Sequence, residues 1–347
     1  VTTARRDTHA HATATTSTPR AEPPSPERPP PSTVAHTSTV GTEPATIGVD
    51  AALAALKLSR DGSGVGGCLA EPDEAKRVRC LIALRYAADP QALALAVGLF
   101  DRLGDVPGVE AEHDMDGGWR GPIHLVPELP IGARRKHLQW VAEARFAIAD
   151  FFTKLTESET KKPTFRYRAL TLLFVRSVGK RTPSAYAFDW KIAYNVEGSL
   201  HRNAEAVRET MFHENFHLAD QAHDGWSERA LGPLHDELMR RCDVERKVIA
   251  SRACLRPYAP HGTTVLGGTY YAFHPGNGVG EYAAELAVRY YEEHLAALAG
   301  KAFSAKPFKC GPPENARAWR LLVDEFFAGI DRTPACSRRR DATGTPQ

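Results

Sequence analysis

The run Glu209-Thr-Met-Phe-His213-Glu214-Asn-Phe-His217-Leu-Ala-Asp220 decides how the rest of the chain is read. It contains His-Glu-x-x-His, and the residues on either side can continue as a helix. Helix positions four apart lie one above the other, so His213 and His217 can direct two imidazole nitrogens at one point. A divalent zinc ion suits that point, and Glu214 stands beside the first ligand as general base on a zinc-bound water. Asn203 predicts the helix start, as the cap of a helix from about Ala204 to Ala222 with Glu205 in its first turn. Phe212, Phe216 and Leu218 give that helix apolar surface for packing. The plainer alternative is a pair of core histidines with no ion.

Working outward, Tyr186 to Val196 alternates strictly, with Tyr186, Phe188, Trp190, Ile192, Tyr194 and Val196 on one face, which predicts one half-buried strand just before the metal helix. At a sheet edge, such a strand can pair with an extended peptide. Phe165 to Val175 is rich in strand formers, and Arg135 to Leu155 carries apolar residues at helical intervals. Together these predict an α+β fold with a mixed or antiparallel sheet. Residues 47–105 read as short helices opened near Asp50, Pro72 and Pro90. Residues 105–133 read as a Gly/Pro/Asp-rich connection; Asp114-x-Asp116-Gly lacks the remaining ligands of a calcium loop. The expected organisation is a disordered Pro/Thr/Ser-rich tail or spacer over 1–46, a helical subdomain with its connecting loop over 47–132, and a catalytic domain over 133–340.

Composition narrows the function. Of 347 residues, 42% are hydrophobic and 25% charged, an ordinary balance for a globular protein. A formal net charge of +2 gives no electrostatic case for nucleic acid, and no apolar run reaches the length of a membrane span. The six cysteines fall as sequence neighbours, Cys68 with Cys80, Cys242 with Cys254 and Cys310 with Cys336, and none forms Cys-x-x-Cys. Three local disulfides are therefore expected, and with them a secreted, periplasmic or cell-surface location, the leader removed or missing before Val1.

Two residues of one helix do not complete a catalytic zinc site, and two candidates compete for the third ligand. His223 completes His213-Glu-x-x-His217-x-x-Asp220-x-x-His223, which has metzincin spacing but carries Asp where a sharp turn favours Gly. Its downstream methionine would be Met239. The other candidate is Glu281, in Gly278-Val-Gly-Glu281-Tyr-Ala-Ala-Glu285. Glu281 and Glu285 share a helix face, so one can bind zinc while the other supports a ligand imidazole.

The two motifs together, His213-Glu-Asn-Phe-His217-Leu-Ala-Asp220 and Glu281-Tyr-Ala-Ala-Glu285, resemble the gluzincin pattern of the anthrax lethal factor and Pro-Pro endopeptidase group. The resemblance covers roughly residues 135–294. It implies a zincin-like domain with a small mixed sheet, an active-site helix and a C-terminal helical half. It also implies one Zn2+ held by His213, His217 and Glu281, with Glu214 as base and with Glu285 and Asp220 behind the ligands. The family places a tyrosine shortly before the zinc glutamate as oxyanion donor. Here that offset holds His274, so Tyr271 is favoured, with Tyr270 and His274 as substitutes. The expected activity is hydrolysis of peptide bonds in a protein or peptide substrate. The rival expectation is a catalytically silent zincin-like module for surface binding or structure. Cleavage specificity and oligomeric state are not written in the sequence.

Overall fold

Aspartate and proline set the helix starts in the first third of the chain. Four helices follow one another: α1 (Val49–Leu56), α2 (Val65–Leu69), α3 (Glu74–Tyr86) and α4 (Pro90–Leu103). The Asp73 carboxylate accepts from Lys76 N to cap α3, and Asp89 accepts from Gln91 N and Ala92 N to cap α4 ahead of Pro90. The structure is a computed structural model that describes residues 46–336, apart from Gly118, Trp119, Arg166, Leu266 and Ser304. But for Thr46, the expected tail over 1–46 lies outside the described residues, as do residues 337–340 of the expected catalytic domain.

The class is α+β. Strands β1 (Val106–Val109), β2 (His113–Asp116), β3 (Pro122–Pro127), β4 (Thr171–Ser177), β5 (Ala185–Phe188) and β6 (Lys191–Asn195) form one mixed sheet. Its order is β2-β3-β4-β6-β5, and β1 also pairs with β4. The β1–β4 and β4–β6 pairs are parallel; β2–β3, β3–β4 and β5–β6 are antiparallel. With neighbours on both sides, β4 is a nearly continuous buried run, Thr-Leu-Leu-Phe-Val.

Two expectations need correction here. The stretch read as a connecting loop, 105–132, supplies three strands of the sheet. The helices before it pack on that same sheet, α1 and α4 against β1 and α1 also against β4. Gly108 permits the approach: a Cβ there would lie 2.2 Å from the Ala55 carbonyl oxygen. The run 186–196 is not one strand but the hairpin β5–β6. It turns at Asp189 and Trp190, with φ of 44° and 57°, the left-handed pair of a two-residue hairpin turn. The strand immediately before the metal helix, β6, is therefore interior, and β5 forms that end of the sheet.

Helices make up the rest: α5 (Arg135–Thr156), α6 (Ala204–Ala222), α7 (Trp226–Ala230), α8 (Gly232–Arg241), α9 (Ser251–Leu255), α10 (Val279–Leu298) and α11 (Pro313–Phe326). Helix α6 packs against α5, α10 and β5. Its apolar side enters an aromatic cluster in which Phe212 stacks on Tyr291 at 4.3 Å and Phe216 meets Phe326 edge-on at 5.0 Å. Each such ring contributes about 1.5–3 kcal/mol by leaving water, which fixes the rotation of α6 about its axis.

A fully buried ion pair ties these layers together. Arg145 on α5 makes two bonds to Asp105, at 2.6 and 2.9 Å, and further bonds to the Arg168 carbonyl and to Asn215 Oδ1 on α6. Asp105 also accepts from Leu170 N, so the carboxylate is well supplied with donors. Removing one partner leaves the other charge buried and unpaired. Arg145→Met is therefore expected to cost about 3–5 kcal/mol in urea unfolding. A loss below about 1 kcal/mol would mean the pair holds little of the fold.

Three disulfides join Cys68 to Cys80, Cys242 to Cys254 and Cys310 to Cys336, as expected. Among the described residues, no helix is long and apolar enough to cross a membrane.

Candidate metal centre

Asn203 Oδ1 accepts from Ala206 N at 2.9 Å and starts α6 where the sequence predicts. With the phenylalanines turned into the core, His213 and His217 fall on one face. Helix α10 begins after Gly278 and carries Glu281 in its first turn, where a carboxylate is favoured by the helix dipole. The close packing of α10 on α6 brings Glu281 to the two histidines.

Three donor atoms converge. His213 Nε2 lies 2.9 Å from Glu281 Oε2, His217 Nε2 lies 3.6 Å from the same oxygen, and the two Nε2 atoms are 3.1 Å apart. Metal–ligand bonds of about 2.0–2.1 Å put neighbouring donors of a tetrahedron about 3.3–3.4 Å apart, and these three separations bracket that edge. The donor set fits zinc, with two imidazoles and one carboxylate. All three side chains stay partly exposed, which leaves room for a fourth, exchangeable position.

The carboxylates and imidazoles of this group shift one another's protonation. Burial opposes charge on Glu281, yet the bonds and charges of His213 and His217 hold its carboxyl well below the usual range. Burial also opposes charge on His217, but bonding to Glu281 and the nearby carboxylates lift it to about 9. Glu214 is buried beside the trio. Burial raises its pKa, the two imidazoles pull it down, and the net direction is up.

The other expected residues sort as follows. Tyr271 faces Glu281 and Glu214, its ring centre lies 6.3 Å from that of His213, and burial raises its pKa. Tyr270 packs against the hydrophobic core, and His274 Nδ1 accepts from Gly276 N at 3.1 Å. His223 is turned away: its ring bonds Glu325 on α11 at 2.7 Å and the Thr164 carbonyl at 3.1 Å. The reason is that α6 runs straight through Asp220. The left-handed turn comes at Asp224 and Gly225, too late to bring residue 223 back to the histidines. Met239 lies within α8.

Of the two residues expected behind the ligands, Asp220 faces His217, and Glu285 lies elsewhere. Glu285 receives no hydrogen bond from a ligand imidazole. One turn further along α10, it is buried facing His261 and Glu281, and burial pushes it up to about 8. The Asp220 carboxylate accepts from Ser227 N at 2.8 Å and Ser227 Oγ at 2.6 Å, while its charge faces His217. It thus fixes the start of α7, and a Cβ on Gly280, the residue before Glu281, would lie 3.9 Å from Ser227 Oγ. One further charge at the site is Arg120, which faces Tyr271 and His274. Nothing in its Gly/Asp-rich stretch marks it out in the sequence.

A search of protein-family models finds no match, and neither curated proteins nor solved structures return one.

Proposed function

We propose that the chain is a zinc-dependent metallopeptidase of the gluzincin kind, hydrolysing peptide bonds in proteins or peptides. The observation that carries this reading is the convergence of His213 Nε2, His217 Nε2 and Glu281 Oε2 at tetrahedral spacing, with a buried carboxylate, Glu214, next to the first of them. Zinc, when bound, supplies a Lewis acid that polarises a carbonyl and makes water a stronger acid. Glu214 takes the proton of the attacking water and returns it to the leaving amine. Tyr271, whose ring lies beside His213, donates to the oxyanion that forms on the scissile carbonyl. Strand β5, at the end of the sheet and packed on α6, offers backbone groups to an extended substrate. The three disulfides favour work outside reducing compartments, in a secreted, periplasmic or cell-surface setting.

Incubation with a mixed peptide library tests the reading. Cleavage is expected, lost on treatment with a chelator and restored by added zinc. A chain that binds zinc yet cleaves nothing in such a library would instead be a silent binding or structural module.

A further inference from the structure

A second group of metal-ligand residues lies along the same pair of helices. Glu209 on α6, one turn before His213, and Glu292 on α10 meet His261, with one donor atom from each within 4.8 Å of the others. His261 Nε2 stands 3.7 Å from Glu292 Oε1. Two carboxylates held this close repel each other, and their only cationic neighbour in the group is an imidazole that is itself titratable. All three side chains are partly exposed, so an ion can enter and water can fill its remaining positions.

An independent sign comes from Glu285. It is 4% exposed, its Oε2 has no hydrogen-bond partner, and its carboxylate faces His261, Glu281 and Glu292. The bonding of His261 is arranged as a cation would need. With an ion on His261 Nε2, the Nδ1–H donates to Thr263 Oγ1 at 2.9 Å. Metal-bound imidazoles commonly have their second nitrogen anchored in this way.

We propose that Glu209, His261 and Glu292 form a second divalent-cation site, distinct from the His213–His217–Glu281 centre. One imidazole with two carboxylates suits zinc or a similar transition ion better than calcium or magnesium, which prefer all-oxygen sites. The site bridges three segments, and its consequence lies in the third. Thr263 O accepts from Tyr271 N at 2.9 Å, and Thr264 bridges Tyr270, so the residues next to His261 pair directly with the segment that presents Tyr271. A cation on His261 pins that small hairpin to α6 and α10.

Zinc binding to the full chain, followed by calorimetry and by metal content after desalting, tests the proposal. The native chain is expected to bind two equivalents. The double variant His213→Ala/His217→Ala is expected to keep one, and adding His261→Ala and Glu292→Gln to it should weaken that one by more than about 100-fold. In the converse variant, Glu209→Gln/Glu292→Gln in an otherwise native chain, the count should fall from two to one. This arm leaves the first centre intact and does not depend on the folding of the histidine variant. Two equivalents retained in the converse variant, or a native chain whose only bound equivalent is lost in His213→Ala/His217→Ala, overturns the site. Calcium bound there more tightly than zinc overturns its assignment to transition-ion chemistry.

Discussion

With Glu214 replaced by glutamine, the chain is expected to keep its first-centre zinc while peptide turnover falls by a factor on the order of 10²–10⁴. That corresponds to about 3–5 kcal/mol of barrier, the share a positioned general base supplies. Glutamine copies the shape of the side chain, so the buried position beside the trio stays filled. The three donor atoms of the metal centre belong to His213, His217 and Glu281, and none of them is altered. What is lost is proton affinity. Burial raises the pKa of Glu214 against the pull of the two imidazoles, which moves it toward the range where a base can both accept and return a proton. An amide does neither. The loss should fall on kcat with KM nearly unchanged, because the residue acts on the moving proton and not on substrate binding. Turnover near that of the native chain would remove Glu214 from the mechanism. Loss of zinc together with turnover would make it a residue that shapes the site.

The helix that carries His213 and His217 was legible for a physical reason. A cap at Asn203, an i,i+4 histidine pair and phenylalanines on the other side all point to one helix in one rotation, and α6 has that form. Glu281 was legible because Glu281 and Glu285, four apart after Gly278 and Gly280, are set among Tyr282, Ala283, Ala284, Leu286, Ala287 and Val288, neighbours that argue against a solvated face. The sheet was harder. Strands β1 and β2 are four residues each and are built partly from Pro, Gly and Asp, so short-range preference argues for loop while pairing with β4 and β3 makes them strand. The β5–β6 hairpin was hidden by its alternation. The apolar alternation runs on through Asp189 and Trp190 in sequence. The turn, however, sets Phe188 opposite Lys191 and Tyr186 opposite Ala193, so Tyr186 and Phe188 lie on the other face from Ile192 and Tyr194. Neither Asp189 nor Trp190 is the glycine that usually marks such a turn. The grouping of Glu209, His261 and Glu292 left no local trace, because it joins three segments distant in sequence. Glu285 shows the limit of spacing arguments. It lies one turn from Glu281, yet a turn of helix is about 5.4 Å, enough to leave its carboxylate facing His261 with no bond to a ligand imidazole.

The identity of the third ligand gives the second large effect. Glu281→Ala is expected to weaken zinc binding at the first centre by more than about 100-fold, since groups that merely support a ligand already account for 10–100-fold. His223→Ala should leave that affinity unchanged, although His223 has the spacing of a third histidine ligand. The geometry separates the two. Glu281 Oε2 is 2.9 Å from one imidazole and 3.6 Å from the other, whereas His223 is committed to Glu325 and to the Thr164 carbonyl. Swinging His223 to the metal would require breaking both bonds and moving the left-handed turn from Asp224–Gly225 back into α6, where the helix is continuous through Ala222. The expected cost of His223→Ala is therefore stability, about 1–3 kcal/mol for a lost bond to a carboxylate, and not metal. Zinc titrations should be read on chains that also carry Glu209→Gln and Glu292→Gln, so that binding at the second group does not mask the loss. In that background Glu281→Ala leaves a two-histidine site, which holds zinc poorly, while His223→Ala leaves the full trio. The opposite pattern, zinc lost with His223 and kept without Glu281, would make this a three-histidine centre and overturn the gluzincin reading.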